Sequence, residues 1–208
     1  MKKYEVLKKI KEDKIVAVIR AESVDEAYDI VSACINGGIN IIELTFTVDY
    51  AHEIIKALKE KYQENVLIGA GTVLDSETAR LAILNKADFI VSPSFNLECA
   101  KLCNRYQVPY MPGCFSIREI VEAMEAGSDI IKIFPASALG PSYIKAIKGP
   151  LPNVNLMPTG GVSVANAKDW LDKGCVCIGV GGELYAPARN KDFEKITEIA
   201  KLFVRAIK

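Results

Sequence analysis

IVAVIRAESVDEAYDIVSACINGGINIIELTF, residues 15–46, holds one complete repeat of the pattern that governs this chain. Ile15 to Arg20 is a β-branched run of strand length. Ser23-Val24-Asp25-Glu26 has the form of a capping box, and the helix it opens runs to Asn36 and stops at Gly37-Gly38. Ile41 to Phe46 is the next strand. Upstream, Lys3 to Glu12 reads as a lead-in helix.

Downstream the unit recurs. A helix from Tyr50 to Lys61 leads to a strand from Val66 to Gly71, and Asp75 caps the helix after it. Phe89 to Ser92 is a short fourth strand, followed by a helix over Asn96 to Arg105. Pro109 to Pro112 is a fifth, poor in ladder donors because of its prolines. It is kept because Ser116-Ile117-Arg118-Glu119 is another capping box, opening a helix that ends near Gly127. The sixth strand is Ile130 to Pro135, with a helix after Pro141. Asn155 to Met157 is the seventh, with a helix from Ser163 to Lys173. Val176 to Val180 is the eighth, and a helix from Lys191 to Ala206 ends the chain. Eight strands alternating with eight helices in 208 residues predict an α/β fold, a (β/α)8 TIM barrel with an extra N-terminal helix. A doubly wound open sheet is the alternative. No linker or low-complexity segment divides the chain, so residues 1–208 are expected to form a single domain.

Bulk composition narrows the function classes. Half the residues are hydrophobic, and the 26 basic and 26 acidic residues cancel. No basic cluster points to nucleic acid or an anionic membrane. No apolar run approaches the roughly 20 residues that span a bilayer. The charged start lacks the apolar core of a signal peptide, so a cytoplasmic location is expected. The six cysteines sit in apolar or helical settings and read as free thiols. Cys99 and Cys103 share a helical face, but the single histidine, His52, is remote, so no metal site is expected.

The sixth strand carries an anomaly. Lys132 sits between Ile131 and Ile133, and burying an ammonium costs several kcal/mol unless it is paired or loses its proton. In a pocket, desolvation favours the neutral amine, a nucleophile toward carbonyl carbon. Strand alternation turns Lys132 to one face and its isoleucines to the other. The same rule puts Glu43, Thr45 and Thr47 on one face, with Ile42, Leu44 and Phe46 opposite. In a barrel both charged residues enter the same interior, near the C-terminal strand ends where active sites are built. Arg20, Thr72, Ser92 and Thr159 stand at those ends too. A purely structural Lys–Glu pair would give the same pattern, and Arg20 could equally be a surface residue. Thr159-Gly160-Gly161 and Gly179-Val180-Gly181-Gly182 follow the last two strands, where free backbone N–H groups can converge on a phosphate. Tight turns need glycine in any case.

These pieces, in order, resemble the 2-keto-3-deoxy-6-phosphogluconate (KDPG) / 4-hydroxy-2-oxoglutarate (KHG) aldolase family. The resemblance lies in Gly37-Gly38 followed by Ile42-Glu43-Leu44-Thr45, then Gly69-Ala70-Gly71-Thr72-Val73, Phe89-Ile90-Val91-Ser92-Pro93 and Met111-Pro112-Gly113. It continues through Lys132-Ile133-Phe134-Pro135 and Pro158-Thr159-Gly160-Gly161-Val162. It implies a class I aldolase needing no metal or other cofactor, a small-molecule 2-keto acid as substrate and a homotrimer. Lys132 matches the Schiff-base lysine and Glu43 the proton-carrying carboxylate. Thr72 and Thr159 match residues lining the pyruvyl and phosphate ends, while Phe134 and Pro93 match the pocket wall. Three positions depart from the pattern. Thr47 stands where many members have an arginine that binds the substrate carboxylate, and Arg20, on the neighbouring strand, is expected to replace it. Ser137 stands where a glutamate is frequent. Gly182, beside Glu183, stands where a phosphate-loop serine is common. The substrate is therefore expected to be the phosphorylated gluconate acid, its galactonate epimer or 4-hydroxy-2-oxoglutarate. A TIM-barrel phosphosugar isomerase using Glu43 as base, or a non-catalytic metabolite-binding relative, are the competing classes.

Overall fold

The computed structural model describes all 208 residues. Its strands are β1 Ile15–Ile19, β2 Ile41–Thr45, β3 Leu67–Gly71, β4 Ile90–Val91, β5 Tyr110–Met111, β6 Gly113–Cys114, β7 Ile131–Ile133, β8 Leu156–Pro158 and β9 Ile178–Val180. Its α-helices are α1 Lys2–Asp13, α2 Val24–Asn36, α3 Ala51–Tyr62, α4 Ser76–Leu84, α5 Leu97–Tyr106, α6 Ile117–Glu125, α7 Pro141–Lys148, α8 Ala167–Asp172, α9 Gly182–Ala188 and α10 Phe193–Ala206. All strand pairs are parallel, which requires the helical crossovers that the sequence provides.

Hydrogen bonding divides the strands into the order β5-β4-β3-β2-β1-β9 and the trio β6-β7-β8. The break at β5/β6 falls on Pro112, which has no N–H to give a ladder; its carbonyl still accepts from Lys132 N at 2.9 Å. At the other end, a parallel bridge joins Thr159 to Gly179, and Val176 N donates to the Leu156 carbonyl at 3.0 Å. The result is a strongly curled parallel sheet with helices outside.

Two buried clusters follow from the alternation. The larger, of 49 residues, lies between the sheet's outer face and the helices, and runs from Ile15 to Phe203. The smaller, of 11, lies inside the curl: Val16, Ile41, Leu67, Phe89, Val91, Met111, Ile130, Met157 and Cys177, with Val6 and Ile10 of α1 packed on it. The lead-in helix therefore covers one end of the interior. Ile42, Leu44, Ile131 and Ile133 all belong to the outer cluster, so the outward assignment of these residues holds.

Several expectations needed revision. The fifth strand extends past Pro112 to Cys114, in two short pieces. The helix expected over Ser163–Lys173 is regular only over Ala167–Asp172, because Asn166 Oδ1 accepts from Ser163 N at 2.8 Å and holds a turn there. Ser116 and Glu119 form a complete capping box. Ser23 caps Glu26 N, but the Glu26 carboxylate accepts from Glu22 N instead of closing a box. Helix α9 had no counterpart in the sequence reading; seven residues interrupted by Pro187 leave no helical periodicity to detect.

A second buried lysine was also missed. Lys59 Nζ on α3 donates to Asp88 Oδ2 at 2.7 Å and to the Gln63 carbonyl at 2.9 Å, while Ile68 N donates to the same Asp88 oxygen at 3.0 Å. Lys2 Nζ of α1 lies 3.3 Å from Asp88 Oδ1. Removing one partner would leave the other charge buried without compensation. Asp88→Ala is expected to cost about 3–5 kcal/mol in urea unfolding, with much of the loss recovered in the apolar double variant Lys59→Met/Asp88→Leu. Equal stability of the single variant and the parent would contradict this.

Candidate active site

A cavity of ≈ 400 Å³ opens at the C-terminal ends of the strands. Glu43 and Lys132 meet inside it. They come from β2 and β7, and their backbones are fixed by the registers Val18↔Glu43↔Gly69 and Gly113↔Lys132↔Met157. Glu43 is 1% exposed and Lys132 5%, and Lys132 Nζ lies 3.6 Å from Glu43 Oε1. That gap is too long for a direct hydrogen bond. Neither Glu43 oxygen accepts a hydrogen bond from any protein group. Lys132 Nζ also stands 5.1 Å from the centre of the Phe134 ring, two residues along the same strand face.

Comparison with the Lys59–Asp88 pair weighs against a purely structural role. There, two donors, Lys59 Nζ and Ile68 N, reach one carboxylate oxygen at 3.0 Å or less, and the Gln63 carbonyl holds the ammonium in place. At Lys132–Glu43 the carboxylate is as deeply buried and its acceptors are unmet. A buried acceptor left so costs free energy, and such groups collect where a substrate or water completes them.

Space for this carboxylate is made by Gly71: a Cβ there would land on Glu43 Oε1. On the opposite side Gly179 makes the same room for Thr159 Oγ1, which is buried and likewise without a protein partner. Thr72, next after β3, lines the cavity with φ 57°. A β-branched residue in the left-handed region costs about 1–3 kcal/mol, the kind of strain kept at working sites.

The remaining expected residues gather here with one qualification. Arg20, Thr45, Pro93, Phe134, Thr159, Gly160, Gly161, Gly181 and Gly182 all line the cavity. Thr47 stands just behind them: its Oγ1 is 2.7 Å from Thr45 Oγ1 and accepts from Arg20 Nε at 3.3 Å. The guanidinium is thus anchored at the position where the sequence lacks an arginine. Tyr185 of α9 holds its other side, with its ring centre 5.2 Å from Arg20 Cζ. Tyr185 escaped the sequence reading because α9 did; Val18 and Ser163 were also missed as lining residues.

At the far end, Gly160 and Gly161 line the cavity with φ 87° and 79°, backbone that glycine adopts without strain. The N–H groups of Gly160, Gly161, Val162 and Gly181 make no hydrogen bond within the chain. Four free donors at one end of a cavity are suited to an anion. No three His, Cys, Asp or Glu side chains come together to ligate a metal. All six cysteines are buried and unpaired. Desolvation pushes the thiols of Cys34, Cys103, Cys114 and Cys175 up to about 12, so they are poor nucleophiles. Lys132 is the best-placed nucleophile in the cavity.

Gly71→Ala is expected to lower turnover about 100-fold or more by displacing the Glu43 carboxylate, since small misplacements at a reacting centre cost that much. Activity assays with circular dichroism to verify folding would check this; a folded, fully active variant would contradict it.

The family model "Aldolase: KDPG and KHG aldolase" matches residues 6–199. The 2-dehydro-3-deoxy-6-phosphogalactonate aldolase of Escherichia coli (strain K12) is 35% identical over 193 residues, covering 92% of this chain and 93% of its own. The KDPG aldolase of Legionella pneumophila, solved with pyruvate captured at low pH as a covalent carbinolamine intermediate, superposes with a TM-score of 0.84 at 28% identity, covering 90% of this chain and 92% of its own. A cube-shaped protein cage, designed by fusing symmetric oligomeric domains, superposes with a TM-score of 0.88 at 34% identity, covering 93% of this chain and 71% of its own.

Proposed function

The chain belongs to the KDPG and KHG aldolase family, and we propose on that premise that it is a class I aldolase, a lyase cleaving 4-hydroxy-2-keto acids to pyruvate and an aldehyde. The observation that carries this reading is the buried, incompletely satisfied Lys132–Glu43 pair. Its substrates are 2-dehydro-3-deoxy-6-phosphogluconate, giving glyceraldehyde 3-phosphate, and 4-hydroxy-2-oxoglutarate, giving glyoxylate, with the phosphogalactonate epimer as a third.

The geometry suits the following steps. The neutral amine of Lys132 attacks the C2 ketone to form a carbinolamine, which loses water to give a protonated imine. The C4 hydroxyl then loses its proton, the C3–C4 bond breaks, and its electron pair moves into the imine to leave an enamine. The aldehyde departs. Protonation of the enamine at C3 and hydrolysis of the resulting imine release pyruvate and regenerate Lys132. Glu43, across a 3.6 Å gap that one substrate hydroxyl or water can bridge, carries the protons in these steps. Arg20, held by Thr47 and Tyr185, binds the substrate carboxylate, with Thr45 and Thr72 beside it. Pro93 and Phe134 wall the pyruvyl end, Thr159 lies between the two ends, and the Gly160–Gly161 and Gly181–Gly182 loops receive the distal anion.

Around this site, we read the curled sheet as a closed (β/α)8 TIM barrel with an extra N-terminal helix, counting β5 and β6 as one strand. The Thr159–Gly179 bridge supports closure, and the 49-residue outer cluster supports a single domain over 1–208. A homotrimer would cover the exposed Leu74, Leu97, Phe115 and Ile117, all on segments that follow strands at the cavity end. The family's small-molecule chemistry favours a cytoplasmic location, with neither nucleic acid nor membrane as partner. No helix is long and apolar enough to cross a membrane.

Borohydride reduction with pyruvate is expected to add one reduced pyruvyl unit at Lys132, located by peptide mass mapping; Lys132→Arg should abolish both adduct and turnover. Lack of the adduct alongside phosphosugar isomerase turnover would establish the competing class instead. Arg20→Ala should raise KM for pyruvyl substrates by about tenfold, the worth of a lost charge-assisted hydrogen bond. An unchanged KM would remove Arg20 from the carboxylate site.

A further inference from the structure

The cavity holds a second carboxylate besides Glu43. Glu183, in the first turn of α9, is half-buried and lines the same distal end as the glycine loops. Its Oε2 accepts from Val164 N at 3.3 Å, linking α9 to the loop after β8 across 19 residues of sequence. Ser163 N, the preceding donor, is taken by Asn166 Oδ1 at 2.8 Å. The distal end therefore presents four free N–H groups, from Gly160, Gly161, Val162 and Gly181, together with one fixed negative charge. The two cationic groups of the cavity, Arg20 and Lys132, are engaged with Thr47 and Tyr185 and with Glu43 and Phe134 respectively.

We propose that Glu183 is a specificity-determining residue that tunes how substrates are ranked by the charge of their distal end, reducing the advantage of a phosphoryl group over an uncharged hydroxyl-bearing end. This rests on the aldolase reading of the same cavity. A hydroxyl can accept from the free N–H groups while donating to the Glu183 carboxylate. Phosphoryl oxygens only accept, and their charge is repelled by a carboxylate in a partly desolvated site. Glu183 thus admits unphosphorylated 2-keto-3-deoxy sugar acids beside the phosphorylated ones more readily than the glycine donors alone would.

The test compares kcat/KM for 2-dehydro-3-deoxy-6-phosphogluconate and for its unphosphorylated counterpart in the parent, Glu183→Gln and Glu183→Ala. Glutamine preserves the shape and the acceptor for Val164 N while removing the charge. Alanine removes both and tests whether charge, rather than that bond, is responsible. The phosphorylated-to-unphosphorylated ratio is expected to rise about tenfold in both variants, as relief of a like-charge contact requires. Added salt should raise the ratio in the parent more than in either variant, because screening weakens the repulsion only where the charge exists. A ratio within about twofold of the parent's in both variants would overturn the role of Glu183, twofold being well inside the scatter of neutral contacts. Pyruvate trapping at Lys132 does not involve the distal end: its absence in the parent overturns the aldolase reading itself, whereas trapping with an unmoved ratio overturns only the assignment of Glu183.

Discussion

Much of this structure is arranged around two opposite charges kept near each other in the interior without being allowed to saturate one another. Lys132 and Glu43 stand 3.6 Å apart with the carboxylate otherwise unpartnered. An ordinary stabilising pair closes that distance, as Lys59 and Asp88 do at 2.7 Å, with Ile68 N donating to the carboxylate and the Gln63 carbonyl accepting from the ammonium. Holding the first pair open requires rigid surroundings. Strand register supplies the backbone positions, Gly71 supplies the volume for the carboxylate, and the Phe134 ring flanks the ammonium. The stability cost at this centre is offset elsewhere, chiefly by the apolar layer between sheet and helices.

The two ends of the cavity are built by different physical means. One end uses side chains: a hydrogen-bonded run from Thr45 through Thr47 to Arg20, closed by the Tyr185 ring. Its components come from β1, the end of β2 and α9, so the guanidinium is positioned by three separate elements. The other end uses the main chain, with glycine loops whose N–H groups are left without partners in the chain. Side-chain donors can be moved between neighbouring strands: Arg20, just past β1, stands against Thr47, just past β2. Main-chain donors are tied to the loop itself, and Glu183 is the charged side chain that stands beside them.

The order of strands and helices was legible because each repeat carries its own punctuation. Asp75, Asn96 and Ser116 cap as their side chains imply, and each donor–acceptor set lies within four residues. The inward orientation of Lys132 and Glu43 followed from alternation alone. What resisted reading is equally physical. Thr72 gives no local sign of its left-handed backbone, which is imposed by the fold around it. Pairing of Lys59 with Asp88 spans 29 residues and leaves no periodic trace. Helix α9 is too short to show a hydrophobic stripe, and with it Tyr185 was lost. The neighbourly relation of Arg20 and Thr47 was inferred only because parallel strands one apart in sequence order are adjacent in this topology.

Helix α1 has an implication for how the chain assembles. Its anchors Val6 and Ile10 precede every strand in the sequence, yet the surface they pack on is made from strands distributed as far along as Cys177. The seat of α1 is thus complete only when strands from most of the chain are in place. Contacts of such long sequence separation are slow to form, because their loop-closure entropy must be overcome before burial rewards it. Lys2 on Asp88 ties the helix to the same buried ion cluster that joins α3 to β3. Docking of α1 therefore depends on completion of the sheet, so exposure of Val6 and Ile10 reports on whether the strands as far along as Cys177 are in place.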